Sequence, residues 1–101
     1  MQSPSQNALL DDENLLRVAK SVIWFEEPGQ SLRDPDRFLA YLMTYGSLEE
    51  FLVAARHFPE ESFKAALRNA PPGIFDIRSW TFWNLHYFGH VPPLPARKFP
   101  E

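Results

Sequence analysis

From residue 28 onward, no more than fifteen consecutive residues lack proline or glycine, the longest such stretch being 74–88. Proline removes a backbone donor and clashes with the preceding turn, so a helix cannot run through it undisturbed. Glycine is favoured just past a helix C-terminus. Pro28-Gly29, Pro35, Gly46, Pro59, Pro71-Pro72-Gly73 and Gly89 therefore cut the chain into short pieces. Most of these pieces carry apolar residues at helical spacing. Punctuation and helical spacing together predict a set of short helices joined by tight turns.

The pieces can be read in order. Residues 11–21 open with three acids and predict a helix whose apolar side is Leu15, Leu16, Val18, Ala19 and Val22. Ile23-Trp24-Phe25 follows and is stopped by Pro28-Gly29. The β-branched and aromatic run reads as an extended anchor that packs its aromatics onto the bundle, with a longer helix through Phe25 as the competing reading. Residues 28–33 read as a loop. Asp34-Pro35-Asp36 is a helix start, with Asp as N-cap and Pro in the first turn. Phe38, Leu39, Tyr41, Leu42 and Tyr45 continue it, and Gly46 reads as its C′ residue. Ser47-Leu48-Glu49-Glu50 fits a capping box and opens a helix over 48–58. Pro59-Glu60-Glu61 opens the next, over 60–70. Asp76 is the expected cap of a last helix over 77–88, closed by Gly89.

The expected architecture is all-α: a compact single-domain bundle of about five short helices with an extended Pro-rich C-terminal tail. The expected boundaries are a flexible N-terminus at 1–8, a helical domain at 9–89 and the tail at 90–101, where prolines at 92, 93, 95 and 100 favour polyproline-like backbone. A chain of 101 residues supports one modest core.

Residue chemistry narrows the function classes. There is no cysteine, which excludes a disulfide scaffold, a thiol nucleophile and a Cys-ligated zinc site. The four glycines lie far apart, so neither a P-loop nor a dinucleotide fingerprint can be built. No Ser lies in a G-x-S-x-G elbow. His86 and His90 are four apart, but Gly89 stands between them at the expected helix end and no H-E-x-x-H is present. The carboxylates come as adjacent pairs, which on a helix point in different directions and form no acid–base dyad. The expectation is a non-enzyme with no cofactor and no metal. No apolar run reaches 18 residues and no basic-then-apolar leader is seen, so a cytoplasmic protein without membrane association is expected.

Charge is uneven. Residues 1–63 hold eleven acids and five bases, and residues 64–101 hold two acids and five bases. The acidic part argues against broad nucleic-acid binding and could suit a basic partner surface. Helix N-termini account for many of the acids as well. A helix-turn-helix-like segment at 48–70 keeps a small DNA-binding transcriptional regulator as the alternative. Its reading helix would open on Glu60 and Glu61, which repel phosphates, and carries only Lys64 and Arg68.

Three Trp, nine Phe and three Tyr are more aromatic surface than a small core readily covers. Such residues dominate interface cores. The partner-binding candidates are Trp80, Trp83, His86 and Tyr87 on the last helix, with Pro92, Pro93, Pro95 and Arg97 on a pre-extended tail that loses little entropy on binding. The competing reading for Trp80, Trp83 and Tyr87 is that they seal the core against Trp24 and Phe25.

Residues 22–88 resemble a family of small bacterial proteins encoded beside nucleotidyltransferase-like toxins of the abortive-infection type. The shared features are Trp24-Phe25, then Asp34-Pro35-Asp36 leading to Phe38-Leu39, then Tyr45-Gly46 before Ser47-Leu48-Glu49. An aromatic stretch from Arg78-Ser79-Trp80 through Phe82-Trp83 to Tyr87-Phe88-Gly89 completes the pattern. The resemblance implies an antitoxin, a non-enzymatic partner that neutralises its cognate nucleotidyltransferase-like toxin by direct contact. It implies no catalytic residues; the chain departs from the family pattern in that no separate DNA-binding domain can be read from its sequence.

Overall fold

Among the described residues, one helix touches every other. In the computed structural model, which describes residues 12–95, the helices are α1 (Glu13–Val22), α2 (Pro28–Ser31), α3 (Pro35–Tyr45), α4 (Leu48–Ala55), α5 (Glu60–Arg68) and α6 (Ile77–Phe88). No strand occurs among the described residues. α3 packs against α1, α2, α4, α5 and α6, most extensively against α5. Its sequence explains this position. Phe38, Leu39, Ala40, Leu42 and Met43 are all buried, an apolar arc too wide for a helix with only one covered face. Leu15, Val18, Ala19 and Val22 of α1 close on it from one side, and Phe63, Ala66 and Leu67 of α5 from another. The expected flexible segment 1–8 and the last part of the tail, 96–101 with Arg97, lie outside the described residues.

The caps form as the side-chain chemistry requires. Asp12, Asp34 and Asp76 accept from the backbone N–H of Leu15, Arg37 and Ser79 at 2.8, 3.3 and 2.7 Å. Ser47 and Glu50 make a reciprocal capping box, at 3.1 Å for Glu50 N–H to Ser47 Oγ and 2.9 Å for Ser47 N–H to Glu50 Oε1.

Three local expectations need correction. Residues 28–33 are not a plain loop, because Pro28–Ser31 winds into a single helical turn and brings the helix count among the described residues to six. Pro28 presets that turn, and buried Ser31 donates to Glu26 Oε1 at 2.6 Å. Residues 23–26 are neither an extended anchor nor a continuation of α1. They bend, so that Ile23 is fully buried while Trp24 is 72% exposed and Phe25 points outward beside it. Gly46 does not take the left-handed conformation of a C′ residue, since its φ of −75° and ψ of 153° are extended. It is needed for space instead. A Cβ there would meet the Leu42 carbonyl oxygen at 2.6 Å and Leu42 Cδ1 at 2.7 Å. Gly89, at φ 74°, is the left-handed terminator of α6.

Candidate functional site

The aromatic residues sort into three groups. Trp80 belongs to the core. It is 2% exposed, its ring meets Phe75 edge-on at 5.4 Å, and its indole N–H donates to the Pro92 carbonyl at 2.7 Å. It cannot present a surface to a partner, and its bond instead fixes the first part of the tail. Buried Asn84 donates back to the Trp80 carbonyl at 2.8 Å, a satisfied helix-interior amide. Pro92, Pro93 and Pro95 line a cleft of about 380 Å³ with Trp80, Asn84 and Phe88. The described part of the tail, at residues 91–95, has no helix or strand and lies along the fold, with Leu94 packed on the core.

The second group is a groove between α4 and α6. Half-buried Trp83 stacks on Phe51 at 5.0 Å and on Tyr87 at 5.8 Å. Its indole N–H donates to the Met43 carbonyl at 2.8 Å. That carbonyl lies in the last turn of α3, where the chain leaves at Gly46 and no intrahelical donor follows. Trp83 is therefore a side-chain cap for α3. Leu42 and Met43 floor the groove, Leu48 walls one side, and Phe82 and His86 wall the other, around a volume of about 350 Å³. The Phe82 and His86 rings are parallel, 6.1 Å apart. Leu48 is 74% exposed and Phe82 59%, and Leu52 and Leu85 are exposed as well. Tyr87 is partly covered, and burial together with the nearby charge of Glu60 pushes its phenol above the ordinary value.

The third group was hidden from sequence reasoning. Trp24, Phe25, Tyr41 and Tyr45 form a ladder of rings. Trp24 and Phe25 are 5.6 Å apart, Phe25 and Tyr41 6.1 Å, and Tyr41 and Tyr45 6.0 Å. They border a cleft of about 560 Å³ whose other wall is Val22, Gly73 and Ile74. Trp24, Phe25 and Tyr45 are exposed over more than half of their surface. The ladder is held by charge. Arg37 donates to Glu26 through both terminal nitrogens, at 2.7 and 3.3 Å, and its guanidinium sits 5.3 Å from the Tyr41 ring centre and 6.0 Å from that of Phe25. The Arg37 and Ser31 hydrogen bonds hold the Glu26 carboxyl below its ordinary range. The bend at 23–26 is thus clamped with its two aromatics facing out. Helical periodicity could not have shown this, because the bend is irregular.

The reading helix of the helix-turn-helix-like segment presents little free positive charge. Lys64 lies 4.0 Å from Glu60, and Arg68 pairs with Glu61. Arg68 also covers the Phe88 ring at 5.4 Å. Among the described residues, no three His, Asp or Glu side chains cluster in a way that could hold a metal ion, and no helix is long and apolar enough to cross a membrane. No family model, no curated protein and no solved structure matches the chain.

Proposed function

We propose that this protein acts by direct protein–protein contact, as an antitoxin-type partner that neutralises a nucleotidyltransferase-like toxin. The partner's identity follows from the resemblance carried by residues 22–88. The observation that supports binding as the activity is the exposed ring ladder Trp24-Phe25-Tyr41-Tyr45, rigidly backed by the Glu26–Arg37 pair. Preorganised aromatic surface binds with little loss of side-chain entropy. The ladder lies wholly within residues 1–63, where acids outnumber bases eleven to five. An enzyme that handles RNA presents basic substrate-binding surface, and the excess of acids in this part of the chain is complementary to it. Trp80 makes no contact with the partner, because it is buried. Arg97 lies outside the described residues, and Pro92, Pro93 and Pro95 belong to a segment already laid on the fold.

Co-expression with the product of the adjacent open reading frame tests the reading. The neighbour should arrest growth alone, be harmless with this protein, and co-purify with it. Trp24→Ala should fold normally, since the side chain is largely solvent-exposed, and should fail to rescue. Full rescue by the Trp24 variant would remove this surface from the proposal. A neighbour that is harmless and forms no complex would remove the antitoxin reading itself.

A further inference from the structure

The groove between α4 and α6 is a second apolar surface, separate from the ring ladder, and we propose that its occupant is a second copy of this chain in a two-fold symmetric dimer. This inference does not rest on the toxin reading. α4 has the sequence LEEFLVAA, yet Ala54 is its only fully buried residue. Leu48 and Leu52, one turn apart, face solvent together. On α6, Phe82 of the opposite wall and Leu85 beside it are exposed as well.

Charge identifies the occupant. The acids of α4 are Glu49 and Glu50, and α4 contains no base. α6 contains Arg78 and no acid. Glu49 precedes Leu52 by three residues and Arg78 precedes Phe82 by four, so each charge borders its own apolar wall. Among the described residues neither Glu49 nor Arg78 takes part in an ion pair. A partner of one charge sign would oppose one wall while satisfying the other. A two-fold axis along the groove instead sets each α4 on the α6 of the second copy. Aliphatic side chains then meet aromatic ones, and carboxylate meets guanidinium, twice over. That is the self-complementarity an isologous interface demands.

Sedimentation velocity of the full chain, from about 1 to 100 µM, is the test. The expected result is a monomer–dimer equilibrium within that range. Leu48→Glu should shift it to monomer with unchanged far-UV circular dichroism, because Leu48 is mostly exposed. Glu49→Arg and Arg78→Glu should each weaken the dimer about tenfold or more, and the double swap should restore it. Trp24→Ala should leave the dimer intact, which separates this surface from the ring ladder. A monomer at every concentration overturns the proposal and leaves the groove to an unlike partner. A dimer insensitive to Leu48→Glu and to both charge reversals also overturns it, since the copies would then meet through another face.

Discussion

Gly46 and Gly89 both end helices, for different physical reasons, and substitution separates them. At Gly46 an added methyl meets a backbone carbonyl oxygen at 2.6 Å, and that oxygen cannot rotate away. Gly46→Ala should therefore cost about 1–3 kcal/mol, read as a lower urea midpoint at unchanged slope. At Gly89 nothing lies within 4 Å of the added carbon, and the cost is only that of a left-handed alanine, about 1–2 kcal/mol. Trp83 offers a second test at this scale. Trp83→Phe keeps a ring against Phe51 but strips the donor from the Met43 carbonyl, so about 1–2 kcal/mol should be lost in the same measurement. The glycine positions were legible in the sequence, but the role of Gly46 was not. Its restraint comes from how closely the departing backbone passes Leu42, which no spacing rule encodes.

The bend between α1 and α3 behaves as one unit, since Glu26 joins Ser31 of α2 to Arg37 of α3. The Glu26 carboxyl is depressed from its ordinary value of 4.5, chiefly by its hydrogen bonds to Arg37 and then Ser31. The folded state therefore prefers the ionised form. Its stabilisation is complete above about pH 4.5 and is lost as pH falls through the depressed folded value. Glu26→Gln should lower stability at pH 7 by about 1–2 kcal/mol and flatten the acid limb of a stability–pH curve. An acid limb as steep as that of the wild type would show that Glu26 does not contribute to it. Five helix starts could be read from Asp, Pro, Ser and Glu at the right offsets, because capping is local chemistry. The one-turn α2 could not, because it is completed by Ser31 reaching Glu26. For the same reason Trp24 and Phe25 read as core residues. Hydrophobicity says that a ring tends to be covered, but only the geometry of the bend decides whether it is.

At the scale of the whole molecule, stability concentrates where α3 crosses the other helices. Phe38 is fully buried there and lies 6.0 Å from Phe58. Phe38→Ala should cost about 3–5 kcal/mol, a large share of the roughly 5–15 kcal/mol that holds a domain together. A much lower thermal midpoint in calorimetry is the expected outcome. The all-α class was legible in the sequence because apolar residues recur at helical spacing between the proline and glycine breaks. The division of the surface was not. Trp80, Trp83 and Tyr87 share one helical stripe, yet Trp80 is sealed inside, while Trp83 lines the groove and Tyr87, partly covered, stacks on Trp83. What separates them is the tail folding back over Trp80, a contact twelve residues away in sequence.

That contact also makes the protein its own optical gauge. The three indoles occupy three environments: Trp24 in water, Trp83 half-covered at the end of α3, and Trp80 in a dry pocket closed by the Pro92 carbonyl. Emission from an indole moves to longer wavelength as water reaches it. Anything that lifts residues 91–95 off the fold would uncover Trp80 while leaving the described helices in place. A red shift without loss of helical signal thus marks departure of the tail, and quenching confined to the reddest component marks a partner arriving at Trp24.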